Sequence, residues 1–239
     1  MCAALLAAAA SIASPARGEE KSFLSINAHL LAGASYVTNN YMGTFHEIGD
    51  LNKSMGLAAG AGVGAMFDLS RRWGLGTELN VLMKSFRMDL AVTGEGKPSV
   101  SNVFQRNRAW ELDIPVYMRW RHRVADRVEW NVDMGAYFSY GLGGSQKNTI
   151  YDAKTNELGQ LMTTRTELDA DYYNDSDAFI NSYKRADMGL HVGLGLTFAG
   201  HLTVGVRSHI GFKNVALSTG LRSPSCHNMD ILAMLGWTF

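Results

Sequence analysis

The sequence predicts an all-β fold, an eight-stranded antiparallel up-and-down transmembrane β-barrel. Three observations carry that prediction. Eight segments alternate apolar residues with small or polar ones at a period of two, as strands do when their two faces meet different surroundings. The links between these segments alternate long and short, as in membrane barrels with tight turns at one end and loops at the other. Aromatic residues gather at both ends of the segments, where amphipathic rings sit at the two membrane interfaces.

The first segment, about 22–36, sets Leu24, Ile26, Ala28 and Leu30 against Ser25, Asn27 and His29. The second, about 55–69, sets Leu57, Ala59, Ala61, Val63, Ala65 and Phe67 against glycines and Asp68. The third begins near Trp73 and opposes Leu75, Leu79, Val81 and Met83 to Gly76, Glu78, Asn80 and Lys84. The fourth carries Trp110, Leu112, Ile114, Val116, Met118 and Trp120 opposite Glu111, Asp113, Pro115, Tyr117, Arg119 and Arg121. In the fifth, Trp130, Val132, Met134, Ala136, Phe138 and Tyr140 oppose Asn131, Asp133, Gly135, Tyr137 and Ser139. The sixth, about 187–198, faces Met188, Leu190, Val192, Leu194 and Leu196 away from Asp187, His191 and its glycines. The seventh, from His201, sets Leu202, Val204, Val206 and Ile210 against Thr203, Arg207 and His209. The eighth ends the chain, with Met229, Ile231, Ala233, Leu235, Trp237 and Phe239 on one face.

Short links are read at 70–72, 124–127 and 199–200, and long ones at about 38–54, 91–106, 144–185 and 213–226. Trp73, Trp130, Phe198 and Trp237 fall beside short links; Trp110, Tyr140, Phe212 and Tyr36 fall beside long ones. The balance of 22 basic and 22 acidic residues gives no nucleic-acid footprint. After the N-terminus no run of about 20 apolar residues exists to span a bilayer as a helix. Residues 1–18 are expected to be a signal peptide, with an Ala-rich apolar stretch and a small-residue cleavage zone. Its basic flank is expected upstream, and residues 19–239 form the barrel domain. With the signal removed Cys226 stands alone, so no intramolecular disulfide framework is available.

The last strand, closing on Gly236-Trp237-Thr238-Phe239, looks like the closing strand of a bacterial outer-membrane barrel. That resemblance implies that Trp237 and Phe239 are the signal read by the barrel-assembly machinery. The segments Leu112-Asp113-Ile114-Pro115-Val116-Tyr117-Met118-Arg119-Trp120 and Asp187-Met188-Gly189-Leu190-His191-Val192-Gly193-Leu194-Gly195 resemble the PorT-like barrels of the Bacteroidetes type. The resemblance covers nearly the whole chain and implies an eight-stranded barrel in outer-membrane lipid, with both termini periplasmic and four long outer loops. Some members are tied to type IX secretion; the resemblance does not by itself carry that role over.

An eight-stranded barrel is just wide enough for its own side chains to fill. The inward faces hold Glu78, Glu111, Asp113, Asp133, Asp187, Arg119, Arg121 and Arg207, with Lys84 beside them. Opposite charges confined there are expected to pair, because an unpaired buried charge costs several kcal/mol. An ion-paired plug is therefore expected rather than a pore. The glycines of the second and sixth segments are expected to make room for Arg and Tyr chains. His191, His201 and His209 are read as lumen-facing members of the same network.

The longest link contains Asp169, Asp171, Tyr172, Tyr173 and Asp175. Its oxygens do not match an EF-hand, so a solvated acidic loop without metal or cofactor is expected. Its tyrosine pair makes it the expected recognition surface. The function expected is that of a non-enzymatic membrane protein with a surface, secretion or envelope partner. The competing reading is a barrel hydrolase of the omptin or lipid A deacylase kind, with its site at the outer rim.

Overall fold

The computed structural model describes residues 23–93, 99–155, 160–173, 182–218 and 222–239; the expected signal peptide and Asp175 lie outside them. The described strands are β1 (Leu24–Asn39), β2 (Ile48–Asp68), β3 (Trp73–Thr93), β4 (Ser99–Ala125) and β5 (Val128–Thr155), then β6 (Leu161–Asp171), β7 (Ala186–Phe198), β8 (Leu202–Gly211) and β9 (Cys226–Thr238). A single helical turn, α1 (Tyr41–Thr44), follows β1.

Eight of these strands close a ring. The hydrogen-bonded order runs β4-β3-β2-β1-β9-β8-β7-β5, and β5 pairs back onto β4. All the ladders are antiparallel, and the first and last strands join along Asn27↔Thr238 to Asn39↔Cys226. The alternation is the one expected. On β9 Ile231, Leu235 and Trp237 are exposed, whereas Asp230, Leu232 and Met234 are buried. On β3 Leu75, Leu79 and Val81 are exposed, whereas Glu78, Asn80, Leu82 and Lys84 are buried. Apolar side chains thus point out and charged ones point in, the inverse of a soluble barrel and the arrangement a lipid surround requires.

The three tight turns fall where the sequence places them, after Asp68, Ala125 and Phe198. In the last of these, Ala199 and Gly200 have φ of 51° and 77°, the left-handed pair that matches the twist of a two-residue hairpin.

The opposite end differs from expectation. Residues expected as loops at about 91–106 and 144–185 are in large part strand: β4 has 27 residues and β5 has 28. β3, β4 and β5 continue their ladders well past the outer aromatic belt, to Thr93↔Val100 and Ser99↔Lys154. β6 was not anticipated. It pairs only with the far half of β5, from Ser145↔Asp171 to Thr155↔Leu161, and stands outside the ring as a protruding hairpin. The near half of β5 pairs with β7 over Val128↔Phe198 to Tyr140↔Ala186.

Candidate functional site: a filled lumen under an aromatic plug

Every charged lumen residue expected from the sequence lies in the bore, and most meet a partner there. The Arg207 guanidinium donates to both oxygens of Glu78, at 2.8 Å for the Nη2–Oε1 contact. Tyr117 donates its hydroxyl to Glu78 Oε1 at 2.6 Å, and His29 Nε2 lies 3.3 Å from Oε2. Arg119 and Asp133 form a bidentate pair with both contacts at 2.7 Å. Arg121 pairs with Asp68 at the short-turn mouth.

Two expected members are held differently. Among the described residues neither Asp113 nor Asp187 pairs with Lys or Arg. Asp113 accepts from Asn80 Nδ2 at 3.1 Å, with His209 Nε2 at 3.9 Å. Asp187 accepts from the Tyr137 hydroxyl, from Asn228 Nδ2 and from the Met188 amide at 3.1, 2.9 and 2.8 Å. Hydrogen bonds engage both Asp187 oxygens where no cation reaches them, whereas Asp113 keeps its Oδ1 buried without a hydrogen-bond partner.

Sequence reasoning missed one member at the centre of the network, Asp230. Lys84 Nζ bridges Glu111 and Asp230 at 3.1 and 3.0 Å, all three buried. Asp230 also accepts from the His209 amide at 3.1 Å and lies 3.2 Å from His209 Nδ1, while His209 Nε2 meets His191 Nδ1 at 2.9 Å. Asp230 sits on the small-residue face of the closing strand, and that inward face was the available signal. His201 does not face the lumen. It lies at the β7–β8 turn, its ring stacked on Trp237. The glycines serve partly as expected. Gly189 leaves space for the Tyr137 ring, but Gly62 on β2 makes room for Asn80 rather than for an Arg or Tyr.

Above this polar layer the long-loop end holds a second, apolar core, built from Phe86, Met88, Val103, Tyr41, Tyr172, Tyr173, Tyr183, Val215 and Cys226 among others. The tyrosine pair expected to be displayed on the loop is inside it: Tyr172 and Tyr173 are 3% and 5% exposed. Tyr172 stacks on Tyr183 with centroids 4.6 Å apart, and Phe86 packs edge-on to both. Tyr173 rests on Gly141, where a Cβ would come within 2.2 Å of its ring, and donates to Glu111 at 3.2 Å. It thereby ties the aromatic plug to the ionic layer. Asp169 and Asp171, by contrast, are exposed on β6.

Burial pushes the hydroxyls of Tyr41, Tyr172 and Tyr183 above the usual tyrosine range, so they remain neutral, and it pushes the Cys226 thiol up to about 12. At the rim Glu47 accepts two hydrogen bonds from Arg222 at 2.7 and 2.8 Å. These bonds bring its carboxyl down to about 2 and fasten the β1–β2 connection to the β8–β9 connection.

These features define a closed transmembrane β-barrel whose bore is occupied by its own paired side chains. Trp237 and Phe239 project from the outer face of its closing strand. The chain belongs to the family described as outer membrane protein beta-barrel domain, whose model matches residues 13–217, and that places it in the outer membrane. Among curated protein sequences none is significantly similar to the chain. Similar solved structures include the attachment invasion locus protein Ail of Yersinia pestis, at 12% identity over 90% of this chain and 97% of that one, with a TM-score of 0.35. OprG of Pseudomonas aeruginosa shares 11% identity over 89% of this chain and 95% of its own, TM-score 0.40. The outer membrane protease OmpT of Escherichia coli shares 11% over 95% of this chain and 100% of its own, TM-score 0.30.

Proposed function

We propose that this protein is a non-enzymatic outer-membrane scaffold, closed to solutes, that holds a recognition hairpin at the cell surface for an envelope, surface or secretion partner. The observation that carries this reading is the two-layer seal beneath a protruding β5–β6 hairpin. Arg207–Glu78 crosses the bore and stacked tyrosines cap it, so it is obstructed at two levels. The hairpin, by contrast, adds an exposed strand to the ring at no cost to its closure. In this reading both termini are periplasmic, an N-terminal signal has been removed, and Trp237 with Phe239 engages the assembly machinery.

The histidines favour this reading over a hydrolase. A general base needs its second ring nitrogen turned toward substrate. In the His209–Asp230 couple that nitrogen is occupied by His191, and both rings are buried below the tyrosines.

A photo-crosslinking residue at Met162 on β6, activated in living cells, tests the reading. Capture of a protein partner there, but not from a probe at lipid-facing Val206, is the expected result. Lipid adducts alone at both sites would overturn it.

A further inference from the structure

β6 ends the sheet. It pairs with β5 along one edge, and from Leu161 to Ala170 its other edge has no ladder partner among the described residues. The strand has 11 residues, is exposed on both faces except at Ala170, and contains neither proline nor lysine. Its register with β5 runs without a bulge. Proline, lysine and bulges are the devices that keep a sheet border from adding another strand. This border carries none of the three, and Thr163, Thr164 and Thr166 are β-branched residues that favour extended pairing.

The charges of β6 select the strand that fits it. Its outward face, shared with Lys147 and Tyr151 of β5, holds Arg165, Glu167 and Asp169. Thr166 is the midpoint of the strand, so two copies of β6 meeting antiparallel about a twofold axis there pair along their whole length. In that register Arg165 of each copy stands opposite Glu167 of the other. Thr166 stands opposite itself, Thr163 opposite Asp169, and Met162 opposite Ala170, so no like charges face one another. Arg165 already bridges Glu167 within one chain, and the pairing completes a square of four alternating charges. An axis through Arg165 or Glu167 instead would set that residue against its own charge, which a ladder disfavours.

A neighbour in the same bilayer cannot supply this strand. Copies that share a membrane are related by rotation about its normal. The axis required here runs perpendicular to the sheet, along the membrane plane, and it inverts one copy. The second copy therefore belongs to a facing membrane. Asp171 is paired with Ser145, two residues beyond Gly143, which is the ladder partner of Trp110 in the aromatic belt. At about 3.4 Å per residue, the belts of the two copies stand ~48 Å apart measured along the strands, which leaves room for two headgroup layers.

We propose that β6 is a homotypic recognition strand, pairing antiparallel in the register centred on Thr166 with β6 of a second copy in a facing membrane. This names the partner in the recognition reading above and rests on that reading for the side of the membrane that carries the hairpin. One such ladder is a small contact; many at a junction between two surfaces act together.

Cross-linking of the full-length Cys2→Ser barrel in lipid vesicles, oxidised with copper phenanthroline, tests the proposal. Thr166→Cys should form a disulfide-linked dimer, because directly opposite residues bring their Cβ atoms to about 5 Å, near bridging distance. Thr164→Cys alone should stay monomeric, but should link to Leu168→Cys, its counterpart in this register. The two chains of each mixture are reconstituted in separate vesicles, so a link between them joins facing membranes. In the Thr166→Cys background, Arg165→Glu or Glu167→Arg should each lower the dimer yield about tenfold, the scale of two opposed cross-strand charge pairs. Mixing those two chains should restore it. Heat-modifiable gel mobility establishes that each variant is folded. Equal linking by Thr166→Cys and by Thr164→Cys alone would mean random collision and overturn the proposal, as would failure of the charge-swapped mixture to recover. Capture of a different protein at Met162 in cells, with Thr166→Cys unlinked, would overturn this inference and leave the recognition reading standing. Labelling of Leu161→Cys in intact cells with a membrane-impermeant maleimide reports orientation separately, so absence of labelling with vesicle pairing intact would overturn the topology alone.

Discussion

The Arg207 guanidinium and the Glu78 carboxylate meet from opposite sides of the barrel. Arg207 is on β8 and Glu78 is on β3, strands four places apart in either direction around the ring of eight. One ion pair therefore spans the bore, and its four hydrogen-bonding atoms lie where a conducting pathway would have to run.

That geometry makes the pair asymmetric under mutation. Arg207→Met leaves Glu78 charged and buried, and should destabilise the barrel by about 3–5 kcal/mol in a urea titration in lipid vesicles. The double variant Glu78→Gln/Arg207→Met should recover a substantial part of that loss. A double variant as unstable as the single one would mean that the pair does not act as a unit.

The lipid-facing assignment is tested at Met134, exposed at the middle of the β5–β7 ladder opposite Val192. Met134→Lys should cost roughly 2–4 kcal/mol, the scale for a cation at the bilayer midplane. The same substitution at Phe212, near the outer belt, should cost no more than about 1 kcal/mol. Equal penalties would remove the bilayer from the explanation.

Cys226 should be chemically silent in the folded protein. It is fully buried in the aromatic core, and burial holds its thiol at about 12. A thiol raised above its ordinary value is less ionised at any lower pH, so alkylation of a Cys2→Ser chain by iodoacetamide should stay negligible from neutral pH to about 10. Unfolding in denaturant should restore ordinary reactivity. Rapid labelling of the native barrel at neutral pH would show that the plug opens.

The hairpin should be expendable for the ring. Trypsin added to intact cells is expected to cut after Lys154 or Arg165, leaving a heat-modifiable barrel, because the β5–β7 ladder ends at Tyr140↔Ala186. Cleavage only after the outer membrane is breached would reverse the proposed topology.

The membrane-spanning part of the fold was legible because lipid imposes one rule along every strand. Leu75, Leu79 and Val81, or Ile231, Leu235 and Trp237, mark an apolar face without reference to any other strand. The extension beyond the belt was not legible because there the rule changes. Outward positions become Asn102, Arg106 and Lys147, inward ones become Gln105, Gln146 and Asn148, and polar residues on both faces read as loop. The acidic neighbours of Tyr172 and Tyr173 assign the pair to solvent, although Asp169 and Asp171 belong to an exposed strand and the rings turn inward. The lumen charges were identifiable one at a time. Their partners were not, since Lys84 with Asp230 and Arg207 with Glu78 depend on which strands face each other across the ring.

The seam between β1 and β9 sets the order of events in folding. Asn27 pairs with Thr238, and Phe239 donates its amide to the Ile26 carbonyl, so the first strand waits for the last. Until then every partial chain is an open sheet with two unsatisfied borders, each a template for a neighbouring molecule. Closure couples residues from 187 to 211 positions apart, and such distant pairing is entropically late. A chain shortened by its final strand would therefore not form a narrower tube. It would remain a curled ribbon with adhesive edges, and for that reason the last thirteen-residue strand governs resistance to aggregation as much as stability in the bilayer.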